Sequence, residues 1–265
     1  MSNRVLICVT SYNRQPYTKQ CLEALFNYTS EPFDLIVVDN GSAAPSLELL
    51  KNFEDKKYGN GSTSRVVYNG TNLGVSKALN IGMRLRQPGQ HYMKLDNDMV
   101  LPNNYESWLT EMIDITENSR RDIDNVKLVA LSPFNYNRPM SEHFPRRFLD
   151  LTNGHRYEIE DPMPYACLGA GKFVHSDVID RIGGYNEKFG LYGFEDTDYG
   201  NRAIRVGFKN VYHAKVQAKH IDAENLPESA ELRALKTNAL RHNGILAGNA
   251  RIEYAHDGGK VRIPL

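Results

Sequence analysis

Short apolar runs alternate with helix-like segments over the first 131 residues of the chain. Each run is rich in Val, Ile or Leu and is followed by polar or glycine-containing residues, which is typical of buried strands. The predicted strands are Val5–Val9, Leu35–Val38, Arg65–Tyr68, Tyr92–Leu95 and Leu128–Leu131.

The segments between these runs predict helices at about 16–28, 45–55, 75–82 and 103–116. Pro16 and Pro45 suit a first helical turn. Val75, Ala78, Leu79 and Gly82 form an apolar stripe at helical spacing, with glycine allowing close packing. Alternating strands and helices imply parallel strands joined by right-handed crossovers. The pattern therefore predicts an α/β fold with a mostly parallel, Rossmann-like central sheet flanked by helices.

The alternation stops at residues 132–165, which are rich in Pro, Arg, His and aromatic residues and show no clear period. A long irregular segment inside a domain is usually functional or disordered. Regularity returns from about residue 168, and the predicted elements there are a helix at 195–207, a strand at 210–218, a helix at 227–242 and a hairpin at 251–265. We expect one domain over 1–222, with two halves at 1–100 and 101–222, and a helix and hairpin extension over 223–265.

Formal net charge is zero, which gives no general attraction to nucleic acid or anionic membranes. Residues 200–265 nevertheless hold eleven Lys or Arg against six Asp or Glu, so this region could face an acidic partner or form a solvated surface. The N-terminus lacks a long apolar core, and no run reaches the roughly 18 apolar residues of a membrane span. Three cysteines without metal-type spacing fit a reducing compartment, so we expect a cytoplasmic protein without a membrane span.

Polar residues follow each of the first four predicted strands, where open α/β sheets bind their ligands. Among them, Asp96 and Asp98 lie one residue apart. Both could address one divalent cation, or one could bind a ribose hydroxyl while the other binds the metal. Oxygen ligands suit Mg²⁺ or Mn²⁺. A solvated turn would explain the triplet alone, but the apolar runs on both sides favour a rigid position at the sheet edge.

A second acidic cluster, Glu195, Asp196 and Asp198, falls at the start of a predicted helix. Acidic residues there can simply complement the helix dipole. A carboxylate in this place could also act as a general base if it reaches a substrate hydroxyl. His220 closes the following strand and is either structural or a further metal ligand.

Together these motifs resemble the family-2 glycosyltransferases with the A-type, nucleotide-diphospho-sugar fold. The resemblance runs from Val5 to about His220. Its motifs, in order, are VTSYNR (9–14), IVVDNGS (36–42), NLGVSKALNIG (72–82), KLDNDMVLP (94–102), GGYNEKFGLYGFEDTDYGNRAIRVGF (183–208) and VYHAKVQAKH (211–220).

The resemblance implies that residues 1–100 bind the nucleotide-sugar and residues 101–222 bind the acceptor. It also implies a donor site, a metal site and a catalytic pair. The implied donor-binding residues are Thr10, Tyr12, Asn13, Arg14, Asp39, Asn72, Lys77, Asp96, Asn97, Gly169 and Ala170, with Thr10, Tyr12, Asn13 and Asp39 at the nucleobase and ribose, most often uridine in this family. Asp98 and His220 would ligate Mn²⁺ or Mg²⁺. Asp196 matches the family's catalytic base, with Glu195 beside it in the acceptor pocket.

The implied activity is transfer of a hexosyl or pentosyl group from a nucleoside-diphosphate sugar. In this family the donor is most often a UDP-sugar. The acceptor would be a hydroxyl of a saccharide or glycoconjugate. A single carboxylate base suits inversion, although retaining enzymes share this fold.

Several alternatives stay open at this point. The basic segment with Arg138, His143, Arg146 and Arg147 would suit an anionic acceptor, so hydroxymethylated bases of phage-type DNA are an alternative substrate. A nucleotidyltransferase would need a glycine-rich phosphate loop, where this chain has TSYNR. A non-catalytic module that binds sugar nucleotides is the remaining alternative.

Overall fold

The computed structural model describes residues 4–135, 138–139, 144–162, 169–221 and 261–265. The strands are β1 (Leu6–Ser11), β2 (Asp34–Asp39), β3 (Lys56–Lys57), β4 (Thr63–Tyr68), β5 (Tyr92–Asp96), β6 (Met99–Val100), β7 (Val126–Asn135), β8 (Arg138–Pro139), β9 (Arg146–Asp150), β10 (Arg156–Glu160), β11 (Gly171–Val174) and β12 (Lys209–His220). The helices are α1 (Gln15–Asn27), α2 (Ala44–Leu50), α3 (Val75–Arg84), α4 (Trp108–Asn118), α5 (Ser176–Ile182) and α6 (Glu195–Arg205).

Within the described residues, all twelve strands belong to one mixed sheet. Its main path runs β3-β4-β2-β1-β5-β11-β7-β12-β10-β9, while β6 pairs with β12 and β8 pairs with β7. Strands β4, β2, β1 and β5 are parallel to one another, as the sequence predicts. Beyond them, β11 is antiparallel to both of its neighbours, and β12 runs parallel to β7. The fold is therefore a mixed α/β sheet whose N-terminal part is parallel.

Helices cover both faces of this sheet, so the central strands are buried on both sides. In β1 and the residue before it, Val5, Ile7 and Val9 pack with α1 and α4. The alternate residues Leu6 and Cys8 pack with α3, α5 and α6 on the other face. This period of two is why the strand reads as a continuous apolar run.

The predicted N-terminal elements are confirmed, with small changes at their ends. Pro16 and Pro45 do lie in the first turns of α1 and α2. A Cβ added to Gly82 would lie 2.4 Å from Cys8 Sγ, so α3 does require a small residue where it crosses β1. Helix α4, however, begins at Trp108 and not at 103. The residues before it form turns, which Asn and Ser favour, and the buried Trp108 donates from Nε1 to Tyr28 O at 3.2 Å.

The prediction of an irregular segment at 132–165 is wrong for much of its length. Strand β7 continues to Asn135, and β9 and β10 form an antiparallel hairpin that joins the sheet through β12. Short strands with charged residues on an exposed face hide their period, which explains why the sequence pattern failed here.

The predicted extension lies mostly outside the described residues, including the helix at 227–242 and the start of the hairpin at 251–265. Of the described end, Ile263 forms a parallel bridge with Gly183. A Cβ on Gly183 would lie 1.7 Å from Ile263 O, so this contact requires glycine. The division of the chain at residue 222 stays a prediction.

Candidate active site

The carboxyl ends of the parallel strands lie side by side at one edge of the sheet. Ser11 pairs in register with Asp39, and Asp39 with Tyr68. Thr10 pairs with Asp96 on the other side of β1. The loops after β1, β2, β4 and β5 therefore meet at this edge, as expected for a ligand site in an open sheet.

Asp98 lies between a guanidinium and an imidazole. Arg14 Nη1 donates to Asp98 Oδ2 at 2.9 Å, and His220 Nε2 lies 3.3 Å from Asp98 Oδ1. The pairing of β6 with the end of β12 brings the histidine here, because Met99 and His220 are register partners. Burial opposes ionisation of Asp98, but His220 and Arg14 outweigh it and hold its pKa below the usual value.

The donor atoms of Asp98 and His220 fit a small divalent cation. Two ligands at about 2.1 Å from one ion and at right angles lie roughly 3 Å apart, close to the observed 3.3 Å. A carboxylate with an imidazole suits Mn²⁺, and an oxygen ligand also suits Mg²⁺. The structure thus brings together the two predicted metal ligands, which leaves further positions for phosphate oxygens and water.

Asp196 is held by two buried lysines. Lys172 Nζ donates to Asp196 Oδ1 at 2.7 Å, and Lys94 Nζ donates to Asp196 Oδ2. Lys94 and Lys172 are register partners on neighbouring antiparallel strands, so their side chains leave the same face of the sheet. Burial opposes ionisation of Asp196, but the two ammonium groups outweigh it and lower its pKa.

Glu195 and Asp96 also lie near Lys94, but their pKa values are raised, whereas that of Asp196 is lowered. Lys94 Nζ lies 3.3 Å from Asp96 Oδ1 and 3.6 Å from Glu195 Oε1. Burial and the charge of Asp196 raise the pKa of Glu195, against the opposing effect of Lys94. Partial burial raises the pKa of Asp96 to about 7, with Lys94 opposing and the neighbouring carboxylates assisting. The edge therefore holds acids of both kinds: the pKa values of Asp98 and Asp196 are lowered, and those of Glu195 and Asp96 are raised.

Asp39 lines a cavity and has one carboxylate oxygen without a hydrogen-bond donor among the described residues. Its Oδ2 accepts from the backbone N–H groups of Gly41 and Ser42 at 3.1 and 3.0 Å. Its Oδ1 is buried, and no donor among the described residues reaches it. The adjoining cavity of about 380 Å³ is lined by Asp39, Gly41, Ser42, Leu47, Lys51, Glu54, Tyr68 and Gly70. A ring N–H of a nucleobase is the kind of donor that this oxygen lacks.

The side-chain amides of Asn13 and Asn97 form hydrogen bonds within the protein. Asn13 has a positive φ of 57°, and its Oδ1 accepts from Ala43 N at 2.6 Å. Asn97 Nδ2 donates to Thr18 Oγ1 at 2.8 Å, so this side chain lies between the loop and α1. Both residues thus shape the loops around the edge. Their expected part in donor binding stays a prediction.

Asn40 and Asn72 connect the loops after β2 and β4. Asn40 Nδ2 donates to Asn72 Oδ1 at 3.0 Å, while Asn40 Oδ1 accepts from Asn69 Nδ2 and Leu73 N. The Asn72 oxygen also accepts from Gly74 N. Asn72 therefore stabilises a loop at the site, and Asn40 is the buried centre of that network.

The other expected donor residues occupy the same edge. Ala170 O accepts from Asp96 N at 2.8 Å, so the segment with Gly169 does contact the backbone of the acidic triplet. Tyr12 is 42% exposed, which leaves a ring free to stack on a ligand. Lys77 is exposed on the first turn of α3.

Two of the basic residues expected at the acceptor side are already paired with acids. Arg146 Nε donates to Glu160 at 3.0 Å, and Arg147 binds Asp124 and Asp161. His143 lies outside the described residues, and of Arg138 only the backbone is described. These two arginines are therefore less available to bind an anionic acceptor than the sequence alone indicates.

A group of His91, Glu117 and His175 has ligand atoms within 4.8 Å of one another, at the opposite end of β5. Both Nδ1 atoms accept backbone N–H bonds, from Ser176 and Asp177. The proton of each neutral ring is therefore on Nε2, which faces Glu117. His91 Nε2 donates to Glu117 at 2.9 Å and His175 Nε2 lies 3.3 Å from the same oxygen, so a metal ion would require both rings to change their protonation.

Lys94 and Lys172 are the site residues that the sequence analysis missed. Each is a single lysine inside an apolar strand, in YMKL and GKFV. A lysine in a fully buried strand needs a buried acid, and that conflict was the available signal.

None of the helices that the structure describes combines the length and the apolar character needed to cross a lipid bilayer.

Known proteins resemble this chain in sequence and fold. Hyaluronan synthase of Pasteurella multocida is 24% identical over 251 residues, which cover 82% of this chain and 25% of that protein. A crystal structure of S. aureus TarS in complex with UDP superposes with a TM-score of 0.58 at 18% identity, over 82% of this chain and 60% of that one. The structure of the mannosyltransferase PcManGT from Pyrobaculum calidifontis, in complex with GDP-Man and Mn²⁺, superposes with a TM-score of 0.57 at 15% sequence identity. The match covers 86% of this chain and 58% of that one.

This chain thus spans less than two thirds of each of these three proteins. The two structural similarities show a shared fold, of the A type found in glycosyltransferases. The model of the family described as "Glycosyl transferase family 2" matches residues 6–180, which is more than half of the chain. On the strength of that match, the chain belongs to glycosyl transferase family 2.

Proposed function

We propose that this chain transfers a hexosyl or pentosyl group from a UDP-sugar to an acceptor hydroxyl, with inversion and with Mn²⁺ or Mg²⁺. The observation that carries the proposal is the convergence of three groups at one sheet edge. These are the free oxygen of Asp39, the pair of Asp98 and His220, and the pair of Glu195 and Asp196. They supply a nucleobase contact, a cation site and carboxylates for the acceptor.

The donor would lie across the ends of β1, β2 and β5. Asp39 Oδ1 would accept the ring N–H of uracil, and the exposed Tyr12 ring would pack against the nucleoside. Asp98 and His220 would hold the metal ion, which when bound supplies positive charge beside the diphosphate leaving group. Arg14, which lies within 2.9 Å of Asp98, would add a fixed cation there.

The acceptor would lie opposite the diphosphate, at the start of α6. Its hydroxyl would lose a proton to a carboxylate of the pair Glu195 and Asp196 as it attacks the anomeric carbon. One displacement from the face opposite the leaving group inverts that carbon. We propose a saccharide or glycoconjugate as the acceptor, since the described basic residues of 144–162 are largely paired and do not favour a phosphate backbone.

The test is a screen of UDP-sugars, with CDP- and GDP-sugars as controls, for hydrolysis that depends on Mn²⁺ or Mg²⁺. The active donor is then offered to saccharide, protein and hydroxymethylated DNA acceptors. We expect turnover with a UDP-sugar and a saccharide, and loss of the metal dependence in Asp98→Asn. Asp122→Asn is the matched control, because it removes the same charge at a side chain that is 69% exposed.

Binding of UDP without turnover of any donor would instead indicate a module that binds sugar nucleotides. Transfer to hydroxymethylated DNA alone would overturn the saccharide assignment. Wild-type metal affinity for the UDP complex in Asp98→Asn would place the ion elsewhere.

A further inference from the structure

Strand β9 lies at one end of the sheet, and its outer edge has no partner strand among the described residues. In the turn of the hairpin, Leu151 N donates to His155 O at 2.8 Å, so the odd-numbered residues of β9 hydrogen-bond to β10. Backbone groups alternate in direction along an antiparallel strand. The N–H and C=O groups of Arg146, Phe148 and Asp150 therefore point away from the sheet.

The side chains of these three residues share one exposed face. The side chains of Arg146 and Asp150 are 49% and 74% exposed, and Phe148 is 54% exposed. Proline and β-bulges are common devices that prevent pairing at a sheet edge. Strand β9 has the sequence RRFLD, without proline, and its pairing with β10 is regular. Of these devices only the charged side chains remain, and they could simply keep the edge in solvent.

The order of the charges instead makes the edge complementary to itself. In an antiparallel pair of two β9 strands with a two-fold axis at Phe148, Arg146 lies opposite the partner's Asp150 and Phe148 lies opposite the partner's Phe148. Opposite charges and aromatic rings in such positions stabilise a sheet, whereas like charges destabilise it. Parallel pairing in register would place arginine against arginine and aspartate against aspartate. The sequence therefore favours a second copy of this chain, in one orientation and one register.

Contacts within the chain hold this edge in place before any partner binds. Arg147, on the opposite face of β9, donates to both carboxylate oxygens of Asp124 at 3.0 Å. The Arg156 guanidinium lies 4.4 Å from the centre of the Phe148 ring, and its Nε lies 3.2 Å from Asp150 Oδ1. A surface that is already ordered loses little conformational entropy on binding.

We propose that two copies of this chain associate in solution through their β9 edges, antiparallel and with Phe148 on the two-fold axis. Arg146 exchanges backbone hydrogen bonds with the partner's Asp150, and Phe148 does so with the partner's Phe148. The two sheets then become continuous through one symmetric contact. The contact is small, so we expect a dissociation constant of roughly 1–100 µM. This association goes beyond the proposed sugar transfer and does not depend on it.

The first test is sedimentation equilibrium of the full chain at about 1–300 µM, where the mean mass should rise from that of one chain towards that of two. Asp150→Arg places an arginine opposite the partner's Arg146, so we expect association at least about tenfold weaker. Asp122→Arg is the matched control, because it makes the same charge change outside β9 at a side chain that is 69% exposed. A wild-type chain that stays monomeric throughout would overturn the proposal, as would equal weakening in the two variants.

Phe148→Pro tests the backbone hydrogen bonds. It removes the outward N–H at the axis and leaves the bonds between β9 and β10 in place, and proline is tolerated where the N–H of an edge strand faces solvent. We expect a folded monomer with a melting temperature close to that of the monomeric Asp150→Arg variant. A folded Phe148→Pro protein that associates as tightly as wild type would contradict the proposed pairing.

Amide hydrogen exchange locates the contact by residue. The N–H groups of Phe148 and Asp150 should exchange rapidly in dilute protein and become protected as the concentration rises. The N–H of Leu149 faces β10 and should be protected at both concentrations. If the mass doubles while exchange at Phe148 and Asp150 stays rapid, the two copies meet at another surface and the proposal is wrong.

Discussion

The free oxygen of Asp39 allows a sharp prediction about the nucleobase. In Asp39→Asn, the side-chain oxygen must still face the two backbone N–H groups of Gly41 and Ser42, because only an acceptor fits there. The amide NH₂ then takes the place of Oδ1. A buried acceptor becomes a buried donor with no change in shape, and the side chain no longer accepts the ring N–H of uracil.

The magnitude follows from the loss of one hydrogen bond to a charged group. Such a bond contributes about 1.5–3 kcal/mol, which corresponds to roughly ten- to hundredfold in affinity. Cytosine has an acceptor where uracil has its ring N–H, so CDP should gain from the new donor. We therefore expect UDP affinity to fall and the ratio of CDP to UDP affinity to rise.

Isothermal titration calorimetry with UDP, CDP and GDP on wild type and Asp39→Asn measures both effects. A thermal melt of the two proteins checks that the loop is intact. An unchanged UDP affinity in a folded variant, or a fall that is equal for UDP and CDP, would refute the assignment of Oδ1 to the base.

Three further predictions concern the scaffold. Gly74→Ala should lower both the melting temperature and the turnover, because its Cβ would lie 2.1 Å from Gly190 O. Gly70→Ala places its Cβ in open space, so we expect it to lower the free energy of unfolding by only about 1–2 kcal/mol, the cost of a positive φ. Arg202→Met should lower the free energy of unfolding in urea by about 3–5 kcal/mol. The variant loses a fully buried guanidinium that binds the carboxylate of Asp198 and the carbonyls of Ile182 and Gly184. A decrease below about 1 kcal/mol would contradict this prediction. Burial, then the charges of Lys127 and His91, lower the pKa of His175 to about 4, so the unfolded chain takes up the proton first and stability should fall as the pH drops from about 6.5 to 4. Urea titrations across that range should show a flatter dependence in His175→Gln than in wild type.

The alternating pattern was sufficient to predict the parallel half of the sheet. Buried strands such as β1 need apolar residues on both faces, and the polar residues after them mark the edge where ligands bind. Residues of one loop, such as Asp96 and Asp98, could therefore be placed from sequence alone. The hairpin of β9 and β10 could not, because its pairing depends on β12, which is far away along the chain.

The sequence by itself determined the strands and helices of the N-terminal half and the residues that crowd its ligand edge, because local periodicity encodes which face of an element is buried. Only the tertiary structure decided which of those residues contact one another. Asp196 meets two lysines from separate strands, and Asp98 meets His220 because β6 pairs with β12. Charges act through space, so their partners, and hence their protonation, are fixed only when the chain is folded.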